Sequence, residues 1–158
     1  MKEVVHHYIE GGSNVYACLL DASKAFDKIN HGKLFRCLLY RKVPPHLLRL
    51  LIDSYVRQTT RVSWGVYMSQ YFIPVNGVKQ GGVLSPILFT LYIDQLLIDV
   101  KNSGLGCYLN ATFMGALSYA DDINLISPSI RGLNQMLKIC ELFAIEFDIT
   151  FNCRKQCV

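Results

Sequence analysis

No stretch of this 158-residue sequence is apolar and uncharged for long enough to span a membrane. The most apolar run, residues 82–100, carries Ser85, Pro86, Asp94 and Asp99, which suits a buried helix better than a spanning one. No apolar signal region opens the chain, so the sequence argues against secretion and for an intracellular protein. Six cysteines are widely spaced without a CxxC pair, and Cys153 and Cys157 have no partner cluster. A chain this long needs no disulfide framework, so the thiols read as reduced. Internal repeats, low-complexity tracts and linkers are absent. So is a GxxxxGK loop followed by Ser or Thr, which argues against an ATPase. Charged residues make up only 18%, yet 51% are hydrophobic and mean hydropathy is +0.25, which excludes a disordered chain. The length suits one compact domain over residues 1–158.

The charge that is present is unevenly spread. Residues 1–80 carry 11 Lys and Arg against 5 Asp and Glu, a net +6, whereas residues 81–158 carry 5 against 7, a net −2. A basic half beside an acidic half suits a polyanion meeting a metal site.

Patterning predicts a short helix over residues 3–10, stopped by Gly11-Gly12, then a buried strand over 14–21. Apolar residues at helical spacing from Ala25 to Leu39 predict one helix. Pro44-Pro45 ends it and starts another, striped by Leu47, Leu48, Leu51, Ile52 and Tyr55. Residues 60–76 read as a hairpin, with Trp64 packed inside it. Asn76-Gly77 marks a turn, and Ser85-Pro86 caps a helix reaching Asp99. Two strands, 107–113 and 116–127, precede a helix from Ser129 to Phe147 and a last strand over 149–152. The order predicts an α+β fold, helices packed on a mainly antiparallel sheet.

Three features carry chemistry. Asp121-Asp122 lies among apolar, strand-forming residues, and side chains alternate faces on a strand, so both cannot point into a core. They are either turn residues or carboxylates held at a hairpin tip for a divalent cation. Asp21 ends the first strand and is either a helix cap or a third carboxylate beside that pair. Three carboxylates on neighbouring strands would make a hard oxygen cage suited to Mg²⁺. The third feature is the loop Gly77-Val78-Lys79-Gln80-Gly81-Gly82, whose glycines allow close approach of a ligand to backbone.

In order, LLDASKAFDKINH (19–31), NGVKQGGVLSPILFTLYID (76–94), YADD (119–122) and FNCRK (151–155) closely resemble the palm of reverse transcriptases, and most closely that of non-LTR (LINE-type) retrotransposons. The resemblance implies a polymerase palm with partial fingers and no thumb, cut from a longer polyprotein. It implies an RNA-directed DNA polymerase that works on an RNA template, a DNA primer and dNTPs, in the nucleus or cytoplasm, without a membrane. Asp21, Asp121 and Asp122 match the catalytic, metal-holding aspartates, which use two Mg²⁺ ions with Mn²⁺ as a substitute. Phe26 matches the aromatic gate under the incoming sugar, which favours dNTP over NTP. An RNA-dependent RNA polymerase usually has a polar residue there and GDD in the hairpin. Gln80 matches the glutamine near dNTP and template, with Gly81 and Gly82 giving clearance, and Lys155 matches the proposed general acid toward pyrophosphate. Ala25, Tyr119 and Ala120 match positions that pack the site or face the primer end. Lys33, Arg36, Arg41, Lys42, Arg49, Arg57 and Arg61 are read either as simply solvated helix faces or as part of a basic surface for the nucleic acid. His31 is read as a packing or hydrogen-bonding residue, and Asp27, Asp94 and Asp99 as structural. A group II intron maturase shares the QGG, SP and YADD blocks, but the KAFD wording favours the retrotransposon side. A catalytically silent remnant that at most binds nucleic acid or protein is the contrasting reading.

Overall fold

A computed structural model describes residues 2–22, 24–79, 81–119 and 121–152. The chain divides into two compact units, one of residues 1–25 with 93–158 and one of residues 26–92.

The first unit is built on a four-stranded antiparallel sheet. Its strands are β1 (Tyr16–Ala22), β6 (Ala116–Tyr119), β7 (Asp122–Ser127) and β8 (Phe151–Asn152), in spatial order β6-β7-β1-β8. Alternation along β1 and β7 sends Cys18, Leu20, Ala22, Ile123 and Leu125 to one face, and all five are buried. Helix α6 (Ile130–Phe147) lies against β1 and β7 and contributes buried Leu133, Met136, Cys140 and Phe143. Ser129 caps α6 by accepting the Gly132 N–H at 3.0 Å, and the helix lies where the sequence reading expects it. On the opposite face the far end of the sheet is covered. There Ile126 and Ala17 pack with Val4 of α1 (Lys2–Glu10) and with Cys107. At the near end of that face Leu19 is 40% exposed and Asp122 is exposed.

The segments predicted as strands over 107–113 and 116–127 are both hairpins. In the first, β4 (Tyr108–Leu109) pairs with β5 (Thr112–Phe113) across Asn110-Ala111, both at positive φ. In the second, β6 and β7 are the two arms and Asp121 lies in the turn.

The second unit contains all but the first residue of α2 (Ala25–Lys28), then α3 (His31–Tyr40), α4 (Pro45–Val56), the ribbon of β2 (Ser63–Trp64) and β3 (Tyr67–Met68), and the start of α5 (Ser85–Asn102). Where one helix was expected over 25–39 there are two. The Asn30 side chain accepts the Lys33 N–H at 3.1 Å and restarts the helix, while its backbone bridges to Asn76. The Pro44-Pro45 start of α4 is as predicted. Ser85 opens α5, but its hydroxyl donates to the Lys79 carbonyl at 2.5 Å, which ties the helix to the preceding loop. The ribbon is two residues per strand, and Trp64 is 82% exposed. The expectation that Trp64 packs fails because both faces of so short a ribbon meet solvent.

Among the described residues no disulfide joins Cys18, Cys37, Cys107 or Cys140. No helix of the described residues is long and apolar enough to cross a membrane.

Candidate active site

Strand β1 runs one residue further than expected, to Ala22, and places Asp21 inside the sheet, paired with Asp122 on one side and Asn152 on the other. Asp122 in turn pairs with Tyr119. Residues directly opposite in antiparallel strands share a face, so Tyr119, Asp122, Asp21 and Asn152 form one row across all four strands. The alternation that buries Leu20 and Ile123 turns this row to the open face. Tyr119 is 84% exposed there, Asp122 exposed, and Asp21 and Asn152 half-buried. Asp121 joins by its backbone, its carbonyl accepting the Ala22 N–H at 3.2 Å.

Two hard oxygen donors are therefore side by side, and the chain brings a third next to them. The Cβ atoms of directly opposed residues are about 4.5–5.5 Å apart, a span one cation can bridge with carboxylate oxygens. Unbridged, two like charges in this position repel. The donor chemistry fits a divalent ion. Among the described residues, however, no three His, Cys, Asp or Glu side chains are gathered as a metal-holding group, so the geometry supplies the Asp21–Asp122 pair and not a finished cage.

Asn152 is absent from the residues that sequence reasoning selected. Its only local signal is an amide inside a predicted strand, and its position beside Asp21 follows from long-range register.

In the second unit the Gly-rich loop is strapped to the segment that carries Phe26. The Val78 N–H donates to the Phe26 carbonyl and the Gly77 N–H to the Ile29 carbonyl, both at 2.7 Å. His31 Nε2 lies 2.7 Å from the Gly77 carbonyl. A carbonyl can only accept, so Nε2 carries the proton and His31 is the hydrogen-bonding residue expected. Its ring also meets Tyr55 edge-on at 4.8 Å, and burial pushes the Tyr55 hydroxyl pKa up. Gly77 has φ +90°, and a Cβ there would fall 2.9 Å from the Asp27 carbonyl oxygen. Gly82 donates to the Lys79 carbonyl, and a Cβ on it would meet Ser85 Oγ at 2.8 Å. These glycines have local reasons, a left-handed turn and a close approach, beside any clearance for a ligand. Gly81 is exposed at φ +77°.

Phe26 is half-buried and stacks on buried Phe89, with centroids 4.9 Å apart and rings 30° from parallel. Its ring is thereby held in place from one side. Ala25 is buried at the start of α2 in the first unit. Of the basic residues, Lys33 is half-buried and Arg36, Arg41, Lys42, Arg49, Arg57 and Arg61 are exposed. Arg57 pairs with Asp53 at 2.6 Å. Gln80, Ala120 and Lys155 lie outside the described residues, as do Cys153 and Cys157.

A family profile described as reverse transcriptase (RNA-dependent DNA polymerase) matches residues 2–158. Over 134 residues the chain is 32% identical to the retrovirus-related Pol polyprotein of the type-2 retrotransposable element R2DM of Drosophila melanogaster, covering 85% of this chain and 13% of that protein. It is 26% identical over 166 residues to the RNA-directed DNA polymerase from mobile element jockey of the same species, covering 98% of this chain and 17% of that one. The chain thus spans a small part of the curated relatives it matches. Among solved structures, apo telomerase from Candida tropicalis truncated from its C-terminal domain superposes with a TM-score of 0.69 at 14% identity. That match covers 99% of this chain and 32% of that one, and it shows the shared fold.

Proposed function

The chain belongs to the reverse transcriptase (RNA-dependent DNA polymerase) family, and from that premise we propose that it is the part of a retrotransposon RNA-directed DNA polymerase that joins dNTPs to a primer 3′-hydroxyl on an RNA template. The relatives it resembles are retrotransposon proteins, which supports that reading over an intron maturase.

The observation that carries the proposal is the pairing of Asp21 with Asp122 on an open sheet face, with Asp121 joined by its backbone. Asp21, Asp122 and Asp121 would hold divalent metal, of the kind this family generally uses. Bound there, Mg²⁺ or Mn²⁺ would neutralise charge on the triphosphate and acidify the attacking hydroxyl. In the reaction the primer 3′-hydroxyl loses its proton to solvent and its oxygen bonds to the α-phosphorus of the dNTP. The bond from that phosphorus to the bridging oxygen breaks, and pyrophosphate leaves.

The remaining residues position substrate and exclude alternatives. The Phe26 ring, stacked on Phe89, forms a wall with no hydrogen-bonding group to welcome a 2′-hydroxyl, which selects dNTP over NTP. Gln80 takes the role of the glutamine that reads dNTP and template in the family it resembles, with Gly81 and Gly82 giving backbone clearance. Lys155 gives its proton to the departing pyrophosphate oxygen. Tyr119, exposed at the end of the carboxylate row, faces the primer end. Base pairing reads the template, so the protein needs only shape and backbone contacts.

The test is dTTP incorporation on oligo(dT)-primed poly(rA), with Mg²⁺ and separately with Mn²⁺. Metal-dependent extension that is lost in Asp121→Ala plus Asp122→Ala supports the proposal. Extension unchanged in that variant, or none from folded wild type, overturns it for this chain.

A further inference from the structure

The β2–β3 ribbon is the part of the second unit for which the polymerase reading has no use. Its backbone is well pinned. Thr60 and Phe72 exchange N–H···O bonds at 2.8 Å, the Ser69 N–H donates to the Val62 carbonyl at 2.9 Å, and the Val62 N–H donates to Ser69 Oγ at 2.8 Å. Its side chains nevertheless find no core. Trp64 is 82% exposed, Tyr67 76% and Tyr71 65%.

Two arrangements on the ribbon are specific. Trp64 and Tyr67 are cross-strand partners, so both rings rise from the same face. Arg61 lies over the Tyr71 ring, its guanidinium carbon 5.1 Å from the centroid. The electrostatics around them are one-sided. Residues 54–93 contain no Asp or Glu, and residues 26–92 carry nine Lys and Arg against Asp27 and Asp53, a net +7.

We propose that this ribbon is a stacking platform for a single strand of nucleic acid, with Trp64 and Tyr67 taking bases and Arg61 a phosphate. Flat rings standing exposed, in a unit whose residues carry a net positive charge, match the chemistry of unpaired bases on a polyanion. Val62, Val66 and Met68 are exposed beside them, and a protein would cover these better. The charge favours nucleic acid, because an apolar protein contact gains nothing from +7. The proposal goes beyond the polymerase reading, and its test reads binding rather than synthesis, so either can fail alone.

Trp64 is the only tryptophan in the chain, so intrinsic fluorescence reports this ribbon without a label. The protein is titrated with single-stranded oligouridylate of about twelve nucleotides and with duplex RNA of equal length, a length within the usual single-strand site sizes. Saturable quenching by the single strand, with at least about tenfold weaker response to duplex, is expected for stacking. By anisotropy of labelled RNA, Trp64→Ala weakens affinity about tenfold, while Trp64→Phe stays within about threefold of wild type because it keeps a ring. Arg61→Gln lowers the slope of log affinity against log salt by about 0.7, the share of one phosphate. RNA binding without a change in Trp64 fluorescence overturns the proposal, as does no binding. So does a Trp64 spectrum that shifts with protein concentration alone, which would assign the ribbon to contact with a second copy.

Discussion

Asp21 and Asp122 stand directly opposite each other in adjacent antiparallel strands, two carboxylates on one open sheet face. A fold gains nothing from such a pair by itself, since like charges in that position are destabilising by a fraction of a kcal/mol to about 1 kcal/mol.

A double-mutant cycle of Asp21→Asn and Asp122→Asn in metal-free buffer is therefore expected to show an unfavourable coupling of about 0.2–1 kcal/mol between the two carboxylates. Urea denaturation in the presence of a chelator measures it. A coupling of zero or of favourable sign would contradict the repulsion.

Gly77→Ala is expected to be costly on two counts, the left-handed φ of +90° and a Cβ placed 2.9 Å from the Asp27 carbonyl oxygen. Together these predict a loss of about 2–4 kcal/mol. Gly12→Ala is the control, with φ +74° and nothing within 4 Å of the added carbon, and it should cost about 1 kcal/mol. Equal effects in thermal denaturation would remove the steric part of the argument.

His31→Ala removes the donor to the Gly77 carbonyl and the ring contact with Tyr55. A cost of about 1–3 kcal/mol is expected. The loop should also loosen, seen as faster hydrogen exchange at Gly77 and Val78, whose N–H groups bond to the segment just before His31.

Burial pushes the Cys140 thiol up to about 12, and the neighbouring Glu141 charge adds to the shift. The folded state favours the neutral thiol, so its contribution is fully present below the unfolded value of 9.0 and is lost as pH rises from there towards 12. Wild type should lose more stability than Cys140→Ala between pH 8 and pH 10.5 in urea titrations. A parallel decline in both proteins would refute the assignment.

Much of this fold was legible locally. Pro44-Pro45 and Ser129 announced their helices through backbone chemistry that needs no tertiary contact. The break at Asn30 was hidden because Ala25, Ile29, Leu34 and Leu38 keep a helical spacing across it, and only the capping bond to Lys33 interrupts the helix. The hairpin at Asn110-Ala111 lacked the Asn-Gly signal that marks most two-residue turns, so two strands read as one. Trp64 was misplaced because composition tells that a ring prefers burial but not whether anything is there to bury it. The aspartates were legible as chemistry, in the right segments and order. The alignment of Asp21 with Asp122 and Asn152 was not, because register between β1 and its neighbours β7 and β8 depends on residues more than a hundred positions apart.

The most direct test of the central claim is Mn²⁺ binding followed by electron paramagnetic resonance, with the free-ion signal as readout, in wild type and in Asp21→Asn plus Asp122→Asn. The account predicts that wild type depletes the free-ion signal saturably and that the variant, folded by circular dichroism, leaves it unchanged. Equal depletion by both proteins would contradict it.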